Sequence, residues 1–186
     1  MERNDRTGHE NQEGCEASIS LRKLREEDIP ATLALIREYV AWIGEDLSFQ
    51  GLEKELGTFP HSYDEPGGAF LVAIDSGEPV ACVGLRRLDA KTREMKRLFV
   101  RDSHKGRGIG QQLLTRIIEE ARAKGYLRMR LDTLPKMGEA QRLYERWGFR
   151  DIDPYTDNPL PGARFMELPL SKGTKEGGVQ TGKTSR

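Results

Sequence analysis

Residues 93 to 125, REMKRLFVRDSHKGRGIGQQLLTRIIEEARAKG, constrain the fold more than any other stretch of the chain. REMKRLFV (93–100) reads as a strand, while Ile109, Leu113, Ile117, Ile118 and Ala121 recur at the spacing of one helical face, which Gly125 closes. Between them stand Gly106, Gly108 and Gly110, interleaved with Lys105 and Arg107. Glycine costs about 1 kcal/mol relative to alanine inside a helix. A glycine cluster at a helix start therefore indicates that the backbone itself must approach something closely. A strand ending at Val100 and a helix opening near Gly108 gather unpaired N–H groups at one point, where the helix also carries partial positive charge. Phosphate fits such a place, and Lys105 and Arg107 add to the field. A turn that merely joins strand to helix is the alternative. Two nucleotide motifs are excluded: Gly110 is followed by Gln111 and Gln112 rather than Lys-Ser/Thr, and the glycine spacing is not G-x-G-x-x-G.

The rest of the chain alternates strand and helix signals in the same way. SISLRKL (18–24) alternates like a strand. Asp28 offers an N-cap and Pro30 a first turn to a helix with Ile29, Leu33, Ile36, Val40 and Ile43 on one face. Residues 47–68 read as a short helix and a loop. AFLVAID (69–75), a Ser76-Gly77 turn and PVACVGLRRL (79–88) form a hairpin. LRMRLDT (127–133) is a strand, MGEAQRLYERW (137–147) a helix, and GFRDI (148–152) and ARFMELPL (163–170) are strands. The order β-α-(α)-β-β-β-α-β-α-β-β implies one mixed sheet with helices on its faces, an α/β or α+β domain over residues 18–170. Residues 1–17 and 171–186 are too polar to bury a core and are expected to be disordered tails.

With Lys+Arg and Asp+Glu both 30 in 186 residues, the chain has no basic excess to suit a general nucleic-acid binder. No apolar run approaches the roughly 20 residues that cross a bilayer, and MERNDRTGHENQEG lacks the apolar core of an export signal. Cys15 sits in the polar leader and Cys82 in the apolar run PVACVGL, so no disulfide is expected and a reducing cytoplasm is the simplest location. Cys82 reads as a small core residue rather than a nucleophile. His9, His61 and His104 are scattered, with no metal-ligand spacing, and His104 reads as a solvated loop residue. Trp42 and Trp147 read as core.

EMKRLFVRDSHKGRGIGQQLL resembles the strand-loop-helix core of the GNAT N-acetyltransferase superfamily, whose signature there is [QR]-x-x-G-x-[GA]. AQRLYERWGF (140–149) resembles its second marker, A-x-x-L-Y-x-x-x-G-F, and the order and spacing of the two match a standalone, single-domain bacterial type. The resemblance implies the mixed-sheet fold of that superfamily and acetyl-CoA as co-substrate, with no metal. Its pyrophosphate would lie on Lys105, Gly106, Arg107, Gly108, Ile109 and Gly110, and its pantetheine arm along Leu98, Phe99 and Val100. It also implies that the Leu98 N–H faces the thioester oxygen, that Tyr144 protonates the leaving sulfur, and that Glu94 aligns with a general base of some members. The sequence departs from the pattern at Lys105, where Gln or Arg is usual, and at Met137, where many members place Asn. Lysine keeps the charge and loses the planar fork.

By residue type alone, Glu94 could equally be an exposed strand carboxylate paired with Lys96 or Arg86, and Tyr144 a core residue beside Ala140, Leu143 and Trp147. The acceptor side contains Glu45, Asp46, Glu53, Glu55, Asp64, Glu65, Asp151, Asp153 and Asp157, which would either draw a cationic amine or simply form solvated surface; Tyr155 and NPLPG (158–162) are rim candidates. Two functions stay open: acetyl transfer to a small-molecule or protein amine, and a non-catalytic acyl-CoA-binding sensor or interaction module. Monomer and homodimer stay open as well.

Overall fold

The structure is a computed structural model that describes residues 19–170. The expected tails, His9 and Cys15 lie outside the described residues. Seven strands, β1 (Ser20–Lys23), β2 (Ala69–Asp75), β3 (Glu78–Arg87), β4 (Thr92–Val100), β5 (Arg128–Thr133), β6 (Arg150–Ile152) and β7 (Arg164–Pro169), form one sheet in the order β1-β2-β3-β4-β5-β7-β6. Only β4 and β5 run parallel. Four helices accompany it: α1 (Ile29–Ile43), α2 (Leu52–Gly57), α3 (Ile109–Ala123) and α4 (Gly138–Trp147). The element order is the one that the sequence pattern predicts.

Two cores hold the layers. On one face, Leu113, Leu114, Ile117, Ile118 and Ala121 of α3 pack on Leu71, Val83, Leu85 and Met129, with Phe149 and Tyr144 beside them. On the other, Leu35 and Ile36 of α1 meet Phe70, Val72, Cys82 and Phe99. The alternation of strand residues between these faces produces both cores from one sheet. Burying a leucine or isoleucine is worth roughly 1.5–3 kcal/mol each. Cys82 is core, as expected, and burial pushes its thiol up to about 12.

The face of α1 differs from expectation. Thr32, Leu35, Ile36 and Ile43 are its buried residues, whereas Ile29, Leu33 and Val40 are half-buried. Asp28 does precede α1, yet its carboxylate caps nothing there: it accepts two hydrogen bonds from Arg22 and one from the Arg25 amide. Among the described residues, no helix is long and apolar enough to cross a membrane.

Two irregularities in the sheet position the site. The β4–β5 ladder registers only Thr92, Arg93 and Glu94 against Arg128, Met129 and Arg130, after which the strands part. On its other edge, β4 pairs Phe99 with Cys82 and Lys96 with Gly84, so Arg97 and Leu98 together oppose Val83 in a β-bulge. Arg97 sits there at φ +59°, a left-handed conformation that costs a side-chain-bearing residue about 1–2 kcal/mol.

Candidate active site

The parting of β4 and β5 opens a cleft of about 740 Å³. One wall is the glycine loop. Asp102–His104 make one helical turn, Gly106 and Gly108 both take φ +75°, and α3 begins at Ile109 with no side chain capping its first amides. Positive-φ glycines let successive backbone amides converge, which is how a backbone concavity for an anion is built. A Cβ on Gly106 would meet nothing within 4 Å, so its glycine is required by backbone conformation rather than by crowding from the protein. Lys105, Gly106, Gly108, Ile109 and Gly110 all line the cleft, as do Leu98, Phe99 and Val100. Arg107 does not line it; its guanidinium lies 3.5 Å from Asp75.

The opposite wall comes from α1 and the start of α4. Trp42, expected in the core, lines the cleft with the ammonium groups of Lys105 and Lys136 at 5.1 and 5.2 Å from its ring. Lys136 Nζ also donates to the Ile43 carbonyl at 2.6 Å, tying the end of α1 to the turn before α4. Met137 lines the cleft where many family members have Asn. His104 is not a solvated loop residue: it is half-buried on the cleft wall, with Nε2 3.0 Å from Asp75 and Nδ1 2.8 Å from Ser103.

Behind the cleft lies a second cavity of about 40 Å³, set between Met95–Leu98 of β4 and Leu131–Leu134 at the end of β5. Tyr39, Leu98 and Met137 line both spaces and form a neck between them. Tyr144 lines the inner cavity and is only 5 % exposed. Burial raises its phenol above the ordinary range, with Tyr39 and Asp132 adding to the effect, so it holds its proton throughout the working pH range.

The floor of the inner cavity is a buried array of charges that sequence reasoning largely missed. Arg97 grips Glu55 with Nε and Nη2, both at 2.9 Å, and Tyr63 donates to the same carboxylate at 2.7 Å. Arg86 lies 3.7 Å from Glu55 and donates to Glu94 at 2.7 Å. Tyr155 donates to the other Glu94 oxygen at 3.0 Å. Lys96 stands 3.6 Å from Glu94 and donates to Asp132 at 2.9 Å, where Asn158 and Gln50 also donate. Burial would push Glu55 and Asp132 up, but the bonds and charges of Arg97 and Lys96 outweigh it and hold both carboxyls below their ordinary values. Glu94 does pair with Arg86 and Lys96, but it is buried rather than exposed, and it lines neither cavity. The only sequence signal for the array was the run EMKR, charged residues in mid-strand where one-sided solvation would suffice to explain them.

The expected acidic surface does not assemble. Glu55 is buried against Arg97; Glu65 pairs with Lys23 and Lys124 near the end of α3; Asp151 pairs with Arg164 at the sheet edge; Asp64 pairs with His61. Glu45, Asp46, Glu53, Asp153 and Asp157 are exposed. Among the described residues no group of His, Cys, Asp or Glu could hold a metal ion.

The sequence profile described as the acetyltransferase (GNAT) family matches residues 36–149, more than half of the chain. The chain belongs to the GNAT family of acetyltransferases. It is 38% identical over 157 residues to an uncharacterized N-acetyltransferase of Schizosaccharomyces pombe, covering 83% of this chain and 96% of that protein. Among solved structures, a GNAT-family acetyltransferase of Staphylococcus aureus superposes with a TM-score of 0.69 at 26% identity, covering 82% of this chain and 99% of that one. The PaiA N-acetyltransferase of Thermoplasma acidophilum, solved in complex with coenzyme A, shares the fold with a TM-score of 0.65 at 23% identity over 82% of this chain and 99% of that one. Like the GNAT family at large, this acetyltransferase draws its acetyl group from acetyl-CoA.

Proposed function

We propose that this GNAT enzyme transfers the acetyl group directly to a primary amine, with the glycine loop, the β4–β5 gap and the inner cavity in successive roles. The observation that carries the reading is the neck, where a cleft lined by a backbone anion cradle meets a small polar cavity at Leu98, beside a buried phenol. The residues suit coenzyme A: two positive-φ glycines and uncapped helix amides match a pyrophosphate, and Lys105 adds charge. A solved structure of the same fold, the PaiA N-acetyltransferase, holds coenzyme A, which supports the choice of ligand.

Acetyl-CoA supplies an acyl group already activated as a thioester. Leu98, in the bulge and outside the registered pairs of β4 with either neighbour, offers its backbone N–H to the thioester oxygen as charge builds there. An alkylammonium must lose a proton before it can attack. Glu94 lies on that side and acts through a water rather than by contact, since it does not line the cavity. The amine nitrogen then bonds to the acyl carbon as the carbon–sulfur bond breaks. Tyr144, still protonated, donates to the departing sulfur, and the proton that the new amide nitrogen sheds restores its phenol.

The test is thiol release from acetyl-CoA against amines, amino acids, aminoglycosides and lysine peptides. Turnover on at least one class is expected. Tight acetyl-CoA binding with no thiol release on any would instead establish a non-catalytic acyl-CoA sensor.

A further inference from the structure

We infer that the amine acceptor carries a carboxylate next to its reactive nitrogen, and that Lys96 and Arg97 bind it. This rests on the acetyl-transfer reading above and adds the acceptor class to it. The inference comes from counting spare hydrogen-bonding capacity in the inner cavity. The one carboxylate that lines it, Asp132, is engaged by Lys96, Asn158 and Gln50, and the two just behind the wall are engaged as well, Glu55 by Arg97 and Tyr63 and Glu94 by Arg86 and Tyr155. The cations are not used up. A guanidinium has five N–H donors and an ammonium three. Arg97 spends Nε and Nη2 on Glu55, while Nη1 finds no acceptor among the described residues; Lys96 has one close partner, Asp132.

Both side chains are nearly buried, at 2 and 6 % exposure, and both line the cavity. A wall with idle donors and saturated acceptors repels an ammonium and suits an oxyanion. The space agrees: one water needs about 10–15 Å³ of such volume, so about 40 Å³ admits a carboxylate and little more. An amino acid or a compound built like one meets both demands, since its carboxylate occupies the cavity while its amine stays at the neck beside Leu98. A lysine side chain on a protein surface has no such anion and is disfavoured.

Matched pairs test this on the intact protein: phenylalanine against phenethylamine and phenylalaninamide, leucine against isopentylamine, and lysine against cadaverine, all with acetyl-CoA. The acid of at least one pair is expected to exceed its uncharged or decarboxylated partner by about 100-fold or more in kcat/KM, because an unfilled donor set rejects analogues strongly. Lys96→Gln should shrink that ratio by about tenfold or more, through KM for the acid, while acetyl-CoA affinity by calorimetry and the melting transition show that the variant folds. Equal or better use of the partners lacking the carboxylate overturns the inference and leaves the acetyltransferase reading standing. Thiol release with an aminoglycoside or a lysine peptide but with no member of any pair overturns the inference alone, and no release with any of these classes despite acetyl-CoA binding overturns both.

Discussion

The two sides of the proposed active site, one for the coenzyme and one for the acceptor, are built from different materials. The coenzyme side is mostly backbone: a bulge amide, a run of loop amides at positive φ, and the first turn of α3. The acceptor side is side chains from β3, β4, β5, α2 and the segment after β6, joined by ion pairs across the sheet. A backbone cradle depends on conformation, which glycine placement encodes locally. A charge array depends on tertiary proximity, which no local pattern encodes. Substitutions should therefore act in opposite ways on the two sides, abolishing one ligand on the first and destabilising the fold on the second.

The largest effect is expected at Gly108. Glutamate there must adopt φ +75° and places a carboxylate beside the amides that await an anion. Gly108→Glu should weaken acetyl-CoA binding by about 100-fold or more, while the strain of φ +75° at this exposed position, about 1–2 kcal/mol, lowers the melting temperature by only a few degrees. Calorimetry showing unchanged affinity in the folded variant would remove the backbone cradle from the account.

Tyr144 stands at the boundary of the two sides. Tyr144→Phe should lower kcat by about 10- to 1000-fold with the dissociation constant of acetyl-CoA nearly unchanged, in keeping with general-acid effects of 10²–10⁴. Full turnover in the variant would reduce the tyrosine to a packing role against Phe149 and return the proton to water.

The same division explains what could be read in advance. The apolar face of α3, the hairpin of β2 and β3 and the loop glycines were legible because period and φ are local properties. The A-x-x-L-Y motif identified Tyr144, whose burial follows from the inward face of α4. Nothing local distinguished Arg97, a positive-φ residue that is not glycine, or said that Glu55 would reach it from 42 residues away. Trp42 packs against the core beside Tyr39 and Phe99, and the β4–β5 gap also makes it a cleft wall, which no local pattern indicates.

The acceptor side should answer in stability. Glu55→Gln keeps the shape and leaves Arg97 charged and buried without its carboxylate. Breaking such a pair costs about 3–5 kcal/mol, which lowers the melting temperature by on the order of 10 °C in a domain of this size. A shift under about 2 °C by calorimetry would mean that water in the cavity already solvates Arg97, and that the Glu55 pair adds little to the stability of the fold.

The smallest effect, and the sharpest discriminator, is the pH dependence of that difference. Burial raises the Glu55 carboxyl, but the bonds and charge of Arg97 outweigh it and hold the group below its ordinary 4.5. A carboxyl depressed in the folded state binds fewer protons there than when unfolded, so its contribution is complete above about pH 4.5 and is lost as pH falls through the folded value. Asp132, held below 3.8 by Lys96 against its own burial, adds to the loss at slightly lower pH. The melting temperature of the wild type should therefore be level near neutrality with respect to these groups and fall on acidification below about pH 4.5. In Glu55→Gln one of the two titrations is absent, and a protonated glutamic acid resembles glutamine in charge. The gap between the two proteins should accordingly be widest at pH 7 and narrow by several degrees toward pH 3. A gap that is independent of pH would show that the substitution acts through geometry alone, and that the Glu55–Arg97 charges are not what holds the floor of the cavity together.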